Sequence, residues 1–453
     1  MKISKLIACG LACTLISSTS LFAKASKADL AKLGGELTSY GAIQAGNKAG
    51  TIPAWTGGIT KAPAGYKKGD NHIDPYKSDK PLYTITPDNV DKYKDLLSPG
   101  QIAMFTRYPK TYKIVVYPSH RSASFPKFVY DAAENNAANS VLTKDTNGVL
   151  NAGVTVPFPI PNNGVEAIWN HLLRYRGEQL ERKVGQASPT SKGSYVMVTI
   201  KENVYFPYNV EGATVKSVKN KPAYFVQTVT APPRRAGNIL LVHDTLNQTK
   251  EPRLAWSYNP GQRRVRRAPN IAYDTPGTAS DGQRTTDQSD IFNGSPNRYN
   301  WELVGRKEML VPYNSYKLHS KDVEPKDIIQ AGHINQDISR YELHRVWEVK
   351  GTLKKGTNHI FASKTYYLDE DSWQILVADQ YDSRGNIWRV SEAHCINYYE
   401  KPVFWDTLQL HYDLQNGRYL AFGFNNQGPV DNFDVRLSKK DFTPQKLRRK
   451  GRR

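Results

Sequence analysis

Beyond about residue 194, apolar or aromatic residues alternate with polar ones at a period of two. This is the period of a β-strand, whose successive side chains point to opposite faces of a sheet. The alternating segments are short and are separated by turn sequences, including Asn416-Gly417, a pair that favours a hairpin. Many short strands joined by turns predict an antiparallel sheet or barrel. The predicted strands are 195–200, 204–206, 223–229, 239–242, 254–258, 301–304, 341–349, 360–368, 373–380, 387–390, 408–412 and 418–424.

The first part of the mature chain lacks this alternation. Residues 26–161 are punctuated by proline and glycine, which excludes long helices and central strands from most of the segment. Helices are predicted over 27–37, over 90–97 and after Pro99, with a strand over 112–117. The clearest helix covers 165–173, where residues 165, 168, 169, 172 and 173 form one apolar face. The predicted organisation is therefore an irregular and helical region (26–165), a β domain (166–440) and a basic tail (441–453). Two interruptions of the β pattern, 276–296 and 321–337, are predicted to be surface loops with short helices.

The N-terminus has the three parts of a secretory signal. Lys2 and Lys5 precede an uncharged run over 6–22, and Ala23-Lys24-Ala25 matches a signal-peptidase site, so we predict cleavage after Ala25. A retained membrane anchor is one alternative, although the run is short for a bilayer. Lipidation at Cys9 is another, but only three apolar residues separate it from Lys5. Export past the inner membrane is the prediction.

Export changes the interpretation of the charge. Cleavage removes three of the 62 Lys and Arg residues, which leaves 59 against 42 Asp and Glu, a net charge of +17. Such a charge favours nucleic acid in the cytoplasm, whereas in the envelope it favours contact with an anionic membrane surface. We therefore predict no nucleic-acid partner. A basic soluble periplasmic protein explains the charge equally well. The tail over 446–453 is predicted to be disordered, as a solvated end or an electrostatic tether.

Motifs of known enzymes are absent from the sequence. It contains no His-Glu-x-x-His, no Cys-x-x-Cys, no Gly-x-Ser-x-Gly and no phosphate-binding glycine loop. The mature chain keeps one cysteine, Cys395, which cannot form an internal disulfide and is predicted to be a buried structural residue. The acidic loop with Asp281, Asp287 and Asp290 could bind calcium in principle, but a solvated or salt-bridged loop is favoured. We accordingly predict no catalytic residue, cofactor or metal.

A basic hairpin covers residues 263–267. Strand alternation places Arg264 and Arg266 on one face. Arginine forks suit phosphate and carboxylate, so these two side chains are candidates for contact with an anionic head group or an acidic partner. Ordinary cross-strand salt bridges are the alternative explanation.

Several long motifs are similar to those of the bacterial family catalogued as domain of unknown function 1329 (DUF1329). The motifs cover nearly the whole mature chain. They are Gly50-Thr51-Ile52-Pro53-Ala54-Trp55-Thr56-Gly57-Gly58, residues 255–269 (AWSYNPGQRRVRRAP), residues 281–287 (DGQRTTD), residues 311–316 (VPYNSY) and residues 367–374 (YLDEDSWQ).

That family in turn resembles outer-membrane lipoprotein-sorting proteins of the LolA/LolB type. The resemblance implies an α+β, β-dominated fold: an unclosed antiparallel β-barrel with helices covering one side of an apolar cavity, plus an irregular N-terminal extension. Such cavities hold acyl chains. Family members occur beside outer-membrane β-barrel proteins and resistance-nodulation-division-type exporters, which makes both classes candidate partners.

The apolar strands at 195–200, 224–229 and 239–242, together with the strand that follows them, supply the candidate cavity lining, although each is also compatible with plain core. The candidates are Tyr195, Met197, Tyr224, Val226, Leu240, Val242 and Trp256. The favoured function is a periplasmic carrier for a lipid or other hydrophobic compound. A non-catalytic adaptor docked on an outer-membrane barrel or exporter is the alternative, and an envelope hydrolase is the weakest.

Overall fold

A computed structural model describes residues 24–268 and 271–451. Nearly all of the predicted signal sequence and Cys9 therefore lie outside the described residues. Within the described ranges, none of the helices is both long and apolar enough to cross a membrane.

The described chain is dominated by β-structure. The helices are α1 (Lys27–Leu30), α2 (Pro99–Arg107), α3 (Lys127–Asn139), α4 (Gly164–Leu173), α5 (Tyr316–His319), α6 (Pro325–Ile328) and α7 (Pro444–Gly451). The strands before residue 270 are β1 (Tyr83–Ile85), β2 (Ile114–Val116), β3 (Val141–Leu142), β4 (Val149–Leu150), β5 (Gln179–Ala187), β6 (Val198–Tyr205), β7 (Tyr224–Ala231), β8 (Ile239–His243), β9 (Leu254–Asn259) and β10 (Arg264–Arg267). The later strands are β11 (Tyr299–Pro312), β12 (Tyr341–Leu353), β13 (Ser363–Asp369), β14 (Ile375–Tyr381), β15 (Ile387–Tyr398), β16 (Val403–Asp413) and β17 (Arg418–Phe424).

One large sheet contains fifteen of the strands in the described residues. Its order is β1-β2-β12-β13-β14-β15-β16-β17-β5-β6-β7-β8-β9-β10, and β11 pairs with β12 outside this path. The strands pair antiparallel, except for a single parallel contact between Tyr341 of β12 and Val116 of β2. The ends of the sheet, β1 and β10, do not pair, so the sheet is not closed into a barrel. The prediction of a β-dominated, unclosed antiparallel sheet is confirmed.

Hairpin turns set the register of the sheet where the sequence indicates them. At the turn between β16 and β17, the N–H of Gly417 donates to the carbonyl of Asp413 at 2.9 Å, with Gly417 at a φ of +70°. That left-handed conformation costs glycine little, which explains the Asn-Gly pair. The Asp413 carboxylate also accepts from the N–H groups of Gln415 and Asn416.

The best-predicted helix, α4, begins where its cap allows. The Asn163 side chain accepts from the N–H of Glu166 at 3.0 Å, and nine of the ten helical residues are buried. The helix packs on β11 and β12. The helix predicted over 27–37 is much shorter, because α1 ends at Leu30 and turns follow.

The irregular N-terminal segment is attached to the sheet by arginines. Arg345 of β12 donates to the carbonyl of Ala45 at 2.9 Å and to Glu370 at 3.0 Å. Arg121 holds Asp371 with two hydrogen bonds of 2.9 and 2.7 Å. Side chains of the sheet thus satisfy backbone groups that this segment cannot pair with itself.

Two predictions about irregular segments were wrong. The tail predicted to be disordered covers 446–453, and its described residues up to Gly451 belong to α7, whose Leu447 packs with Phe442 against Tyr258 of β9. The single apolar residue Leu447 is enough to hold this short basic helix against the sheet. The interruption over 276–296, predicted as a surface loop with short helices, does contain a short 3-10 helix (Thr286–Gln288), but it covers the sheet, and many of its polar residues, such as Gln283 and Gln288, are buried. We call residues 271–298 the covering segment.

Candidate functional site

A cavity of about 130 Å³ lies between one face of the sheet and the covering segment. Strands β6, β7, β8, β16 and β17 supply its apolar wall, and the covering segment supplies the opposite wall. The lining residues are Arg176, Arg182, Glu202, Val204, Phe206, Ala223, Phe225, Gln227, Leu240, Val242, Asp244, Arg253, Ile271, Gly277, Thr278, Arg284, Thr286, Ser289, Asp290, Asn293, Trp405, Asp406, Gln409 and Phe422.

The strand register explains why these residues share a face. Val204, Phe225 and Val242 are direct cross-strand partners on β6, β7 and β8. Gln227 and Leu240 form the next row of the same face. Directly opposed residues in neighbouring strands point the same way, so two rows of side chains from three strands converge on the cavity.

The structure separates the predicted lining residues into three groups. Leu240 and Val242 line the cavity. Tyr224, Val226 and Trp256 lie on the opposite face of the sheet, in the cluster around Phe442 and Leu447 of the C-terminal segment. Successive residues of β7 and β8 point to opposite faces of the sheet, so a residue on one face cannot contribute to the other. Both faces are apolar in this sequence, and the period of two therefore does not indicate which face meets the cavity.

The other two predicted lining residues lie elsewhere. Tyr195 and Met197 precede β6 and pack against a second core cluster that includes Ala187 and Phe424. The cavity residues contributed by β7 are instead Phe225 and Gln227.

Arg264 and Arg266 are exposed on the edge strand β10. Arg266 pairs with Ser257, and Ser257 pairs with the cavity residue Leu240, so both arginines lie on the cavity face of the sheet. Within the described part of the chain neither arginine has an ion-pair partner. The predicted alternative of cross-strand salt bridges is therefore not what this strand forms in the structure.

Most charged groups that line the cavity are paired. Arg182 Nε lies 2.7 Å from Glu202 Oε2, and Arg176 lies 2.7 Å from Asp290. Arg253 Nε lies 2.5 Å from Asp244. Such pairing is what allows charges to be buried at all.

Asp290 illustrates how these charges set protonation. Burial by itself raises the pKa of this carboxyl group, but Arg174, whose Nη2 lies 2.6 Å away, and the neighbouring Arg176 outweigh that effect. The pKa of Asp290 is lowered to about 2. The carboxylate therefore stays ionised and fixes both arginines beneath the cavity.

Two lining groups are left without ionic partners among the described residues. Arg284, only 5% exposed, makes no ion pair, and its Nε and Nη1 atoms have no hydrogen-bond partner. Burial lowers its pKa to about 10. Asp406 Oδ2 accepts from Gln409 Nε2 at 3.0 Å, whereas Oδ1 has no partner, and burial raises the pKa of this carboxyl group to about 6.

The acidic loop considered for calcium has its carboxylates directed to different basic groups. Asp281 pairs with Arg235 and Arg418 at 3.2 and 3.4 Å. Asp287 pairs with His359 and Lys364 at 2.9 and 3.0 Å. Asp290 pairs with arginines as described above. These carboxylates form salt bridges and do not converge as calcium ligands must.

One buried cluster has the composition of a metal site. Ligand atoms of His344, Asp369 and Asp371 lie within 4.8 Å of one another. Both Asp371 oxygens already accept from Arg121. Burial and the charge of Asp371 raise the pKa of Asp369 to about 7. Arg121 already supplies the positive charge next to these carboxylates. The cluster is therefore better explained as the attachment point of the N-terminal segment than as a site for a metal cation.

Cys395 is fully buried in β15, and burial raises the pKa of its thiol well above the usual range. A neutral buried thiol is a weak nucleophile.

The fold and the cavity define a β-rich protein in which an unclosed antiparallel sheet and a covering segment enclose a small apolar space. A family described as "Protein of unknown function (DUF1329)" matches residues 84–448, and the chain belongs to this family. It is 50% identical, over the full length of both chains, to the uncharacterized protein PA3922 of Pseudomonas aeruginosa.

Solved structures with more limited similarity were also found. A proposed outer membrane lipoprotein-sorting domain from Vibrio parahaemolyticus is 13% identical with a TM-score of 0.44, over 63% of this chain and 98% of that one. A DUF1329 family protein from Desulfovibrio piger is 15% identical with a TM-score of 0.42, over 60% and 92%. The LolA superfamily protein NE2245 from Nitrosomonas europaea is 11% identical with a TM-score of 0.37, over 63% and 100%.

Proposed function

We propose that the protein is a non-catalytic periplasmic carrier that binds a lipid or other hydrophobic molecule in the cavity beneath the covering segment. The observation that carries this proposal is the set of apolar side chains that face this space. Val204, Phe225, Leu240, Val242 and Trp405 project into it from the strands. When a hydrophobic ligand replaces water against these apolar side chains, the free energy of the system falls, and this favours binding.

The proposed compartment follows from the sequence. The lysines at positions 2 and 5, the uncharged run and the small residues before position 26 favour export. In the periplasm, the exposed Arg264 and Arg266 would face anionic membrane surfaces. An outer-membrane β-barrel protein and a resistance-nodulation-division-type exporter are the proposed partners for loading or delivery, and they rest on the family resemblance.

A pair of matched substitutions tests whether the cavity is the binding site. Val242→Phe places a larger side chain in the cavity, whereas Thr228→Phe adds the same ring to the opposite face of the neighbouring strand. The readout is the calorimetric affinity for 1-octanol, an uncharged probe with one short chain, of purified protein from which lipid has been removed. We expect Val242→Phe to weaken 1-octanol binding about tenfold or more, which corresponds to roughly 1.4 kcal/mol of binding free energy, and Thr228→Phe to leave it unchanged.

Equal binding of 1-octanol by the two variants and the unmodified protein would place the probe elsewhere and contradict the proposal. Absence of 1-octanol binding by all three would favour the adaptor function, in which the protein's own side chains occupy the space. Circular dichroism of each variant confirms that it is folded before the comparison is made.

A further inference from the structure

Arg284 is a buried charge that forms no direct ion pair within the described chain, and Glu202 and Asp406 act on it only from beyond ion-pair distance. The residue is 5% exposed, forms no ion pair and leaves Nε and Nη1 without acceptors. Its guanidinium carbon lies 5.1 Å from the centroid of the Phe422 ring, another lining residue. Burying an arginine without a partner is costly, so its retention in this place calls for a compensating group.

The neighbouring charges do not supply that group. Glu202 is engaged by Arg182 and also accepts from Gln227 at 3.1 Å. Asp406, the remaining lining acid without an ionic partner, is outside ion-pair distance of Arg284 and is held by Gln409. Every other lining arginine has a carboxylate within 4.0 Å.

The backbone presents Arg284 in a fixed position. Gly277 N–H donates to the carbonyl of Arg284 at 2.9 Å, and Pro276 and Thr285 form an isolated antiparallel bridge beside it. Ser280 Oγ donates to the carbonyls of Gly277 and Arg284 at 2.9 and 3.1 Å. A guanidinium held by such a closed turn loses little further freedom when it binds a ligand.

We propose that Arg284 is the head-group anchor of the cavity, and that the ligand is an amphiphile with one acidic oxyanion head, a carboxylate or a phosphate monoester. The head would accept from the free guanidinium N–H groups, while the apolar part lies against Phe225, Leu240 and Val242. This inference rests on the proposed carrier function and narrows its ligand class.

The size of the cavity narrows the ligand further. An apolar cavity of about 150 Å³ admits benzene, and the cavity here is about 130 Å³. A single short acyl chain or one ring therefore fits beneath the covering segment as it stands. A two-chain phospholipid would have to leave most of its apolar surface outside.

Four eight-carbon probes that differ only in their head groups test the proposal. They are octanoate, octyl phosphate, 1-octanol and octylamine, each titrated calorimetrically into the full mature chain after removal of co-purified lipid. We expect octanoate or octyl phosphate to bind about tenfold or more tightly than 1-octanol, because charge-assisted hydrogen bonds are the strong ones. Octylamine should bind most weakly. The ratio between the two anions distinguishes a fatty acid from a phosphorylated ligand.

Variants at position 284 locate the effect. Arg284→Met should abolish the preference for anions while 1-octanol still binds, and Arg284→Lys should retain part of that preference. Arg436→Gln, at an exposed position that does not line the cavity, is the control that keeps the preference. If Arg284→Met does not fold, Arg284→Gln gives the same comparison with a polar side chain.

Two results would overturn the inference. Equal affinity of the unmodified protein for octanoate and 1-octanol would show that no head group is recognised, although the carrier proposal would survive. An anion preference that persists in Arg284→Met would place the anchor elsewhere. Failure of all four probes to bind, 1-octanol included, would instead count against the carrier function itself.

Discussion

Arg182 and Glu202 are direct cross-strand partners on β5 and β6, and their buried side chains form an ion pair of 2.7 Å at the edge of the cavity. Arg284 lines the same cavity without an ion-pair partner among the described residues. The protein thus buries two kinds of arginine in one place, and we expect them to respond to substitution in opposite ways.

Replacement of Arg182 should be strongly destabilising. Arg182→Met leaves Glu202 buried without its charge partner, and breaking a buried pair in this way costs about 3–5 kcal/mol. Arg284→Met removes an uncompensated charge, so its free energy of unfolding should be equal to or greater than that of the unmodified protein. Denaturant unfolding followed by tryptophan fluorescence measures both values. A large loss of stability in Arg284→Met would indicate a structural role and contradict a ligand role.

Asp379 should make the stability of the protein depend on pH near neutrality. Its carboxylate accepts from Ser98 Oγ and from the N–H of Gly100, each at 3.0 Å, yet burial raises its pKa to about 7. The folded state then binds a proton that the unfolded state, with an ordinary aspartate pKa, does not bind between pH 4 and 7. The contribution of Asp379 to stability therefore rises as the pH falls from 8 to 6.

The magnitude of that rise follows from linkage. A carboxyl group with a folded pKa of about 7 adds about 1.4 kcal/mol between pH 8 and pH 6. Asp379→Asn should lose that contribution relative to the unmodified protein. The other groups act equally in both proteins: burial raises the pKa of Glu166 to about 7, which adds to the slope, and lowers the pKa of His171 to about 3, which opposes it. Thermal unfolding at several pH values measures the slope. An unchanged slope in Asp379→Asn would show that this carboxyl group does not titrate there.

Leu447 should hold the C-terminal helix on the sheet. It is 2% exposed and packs with Phe442 on the face of β7–β9 opposite the cavity. Leu447→Ala should cost about 2 kcal/mol and remove the hydrogen-exchange protection of residues 444–451. Lys450→Ala, in the same helix, should keep that protection. Equal and rapid exchange of these residues in the unmodified protein and both variants would show that the tail is disordered, as its basic sequence predicts.

The sheet could be predicted from the sequence because its signals are local. Alternation and turn residues such as Asn416 and Gly417 act over a few positions, so most strands were found. The face of each strand that meets the cavity is not a local property. The pair Tyr224 and Val226 is more apolar than the cavity pair Phe225 and Gln227. The more apolar pair packs against the C-terminal segment that includes α7 and does not line the cavity.

The site was predicted less completely because it depends on a contact between distant segments. The strand pattern predicts Leu240 and Val242 as lining residues, whereas nothing local in the sequence marks Arg284 as a site residue. The DUF1329-like motif over 281–287 contained it. An arginine in a loop is normally solvated, and only the burial of residues 276–296 against the sheet turns it into a group without a partner.

Native mass spectrometry of the protein purified from its own envelope, followed by organic extraction and identification of what is released, tests the carrier function directly. We expect one bound amphiphile per chain, with a single acidic head and a short apolar body, and its loss from Val242→Phe but not from Thr228→Phe. A clean mass of the unliganded chain, with an outer-membrane barrel protein recovered in its place, would contradict the carrier and support the adaptor.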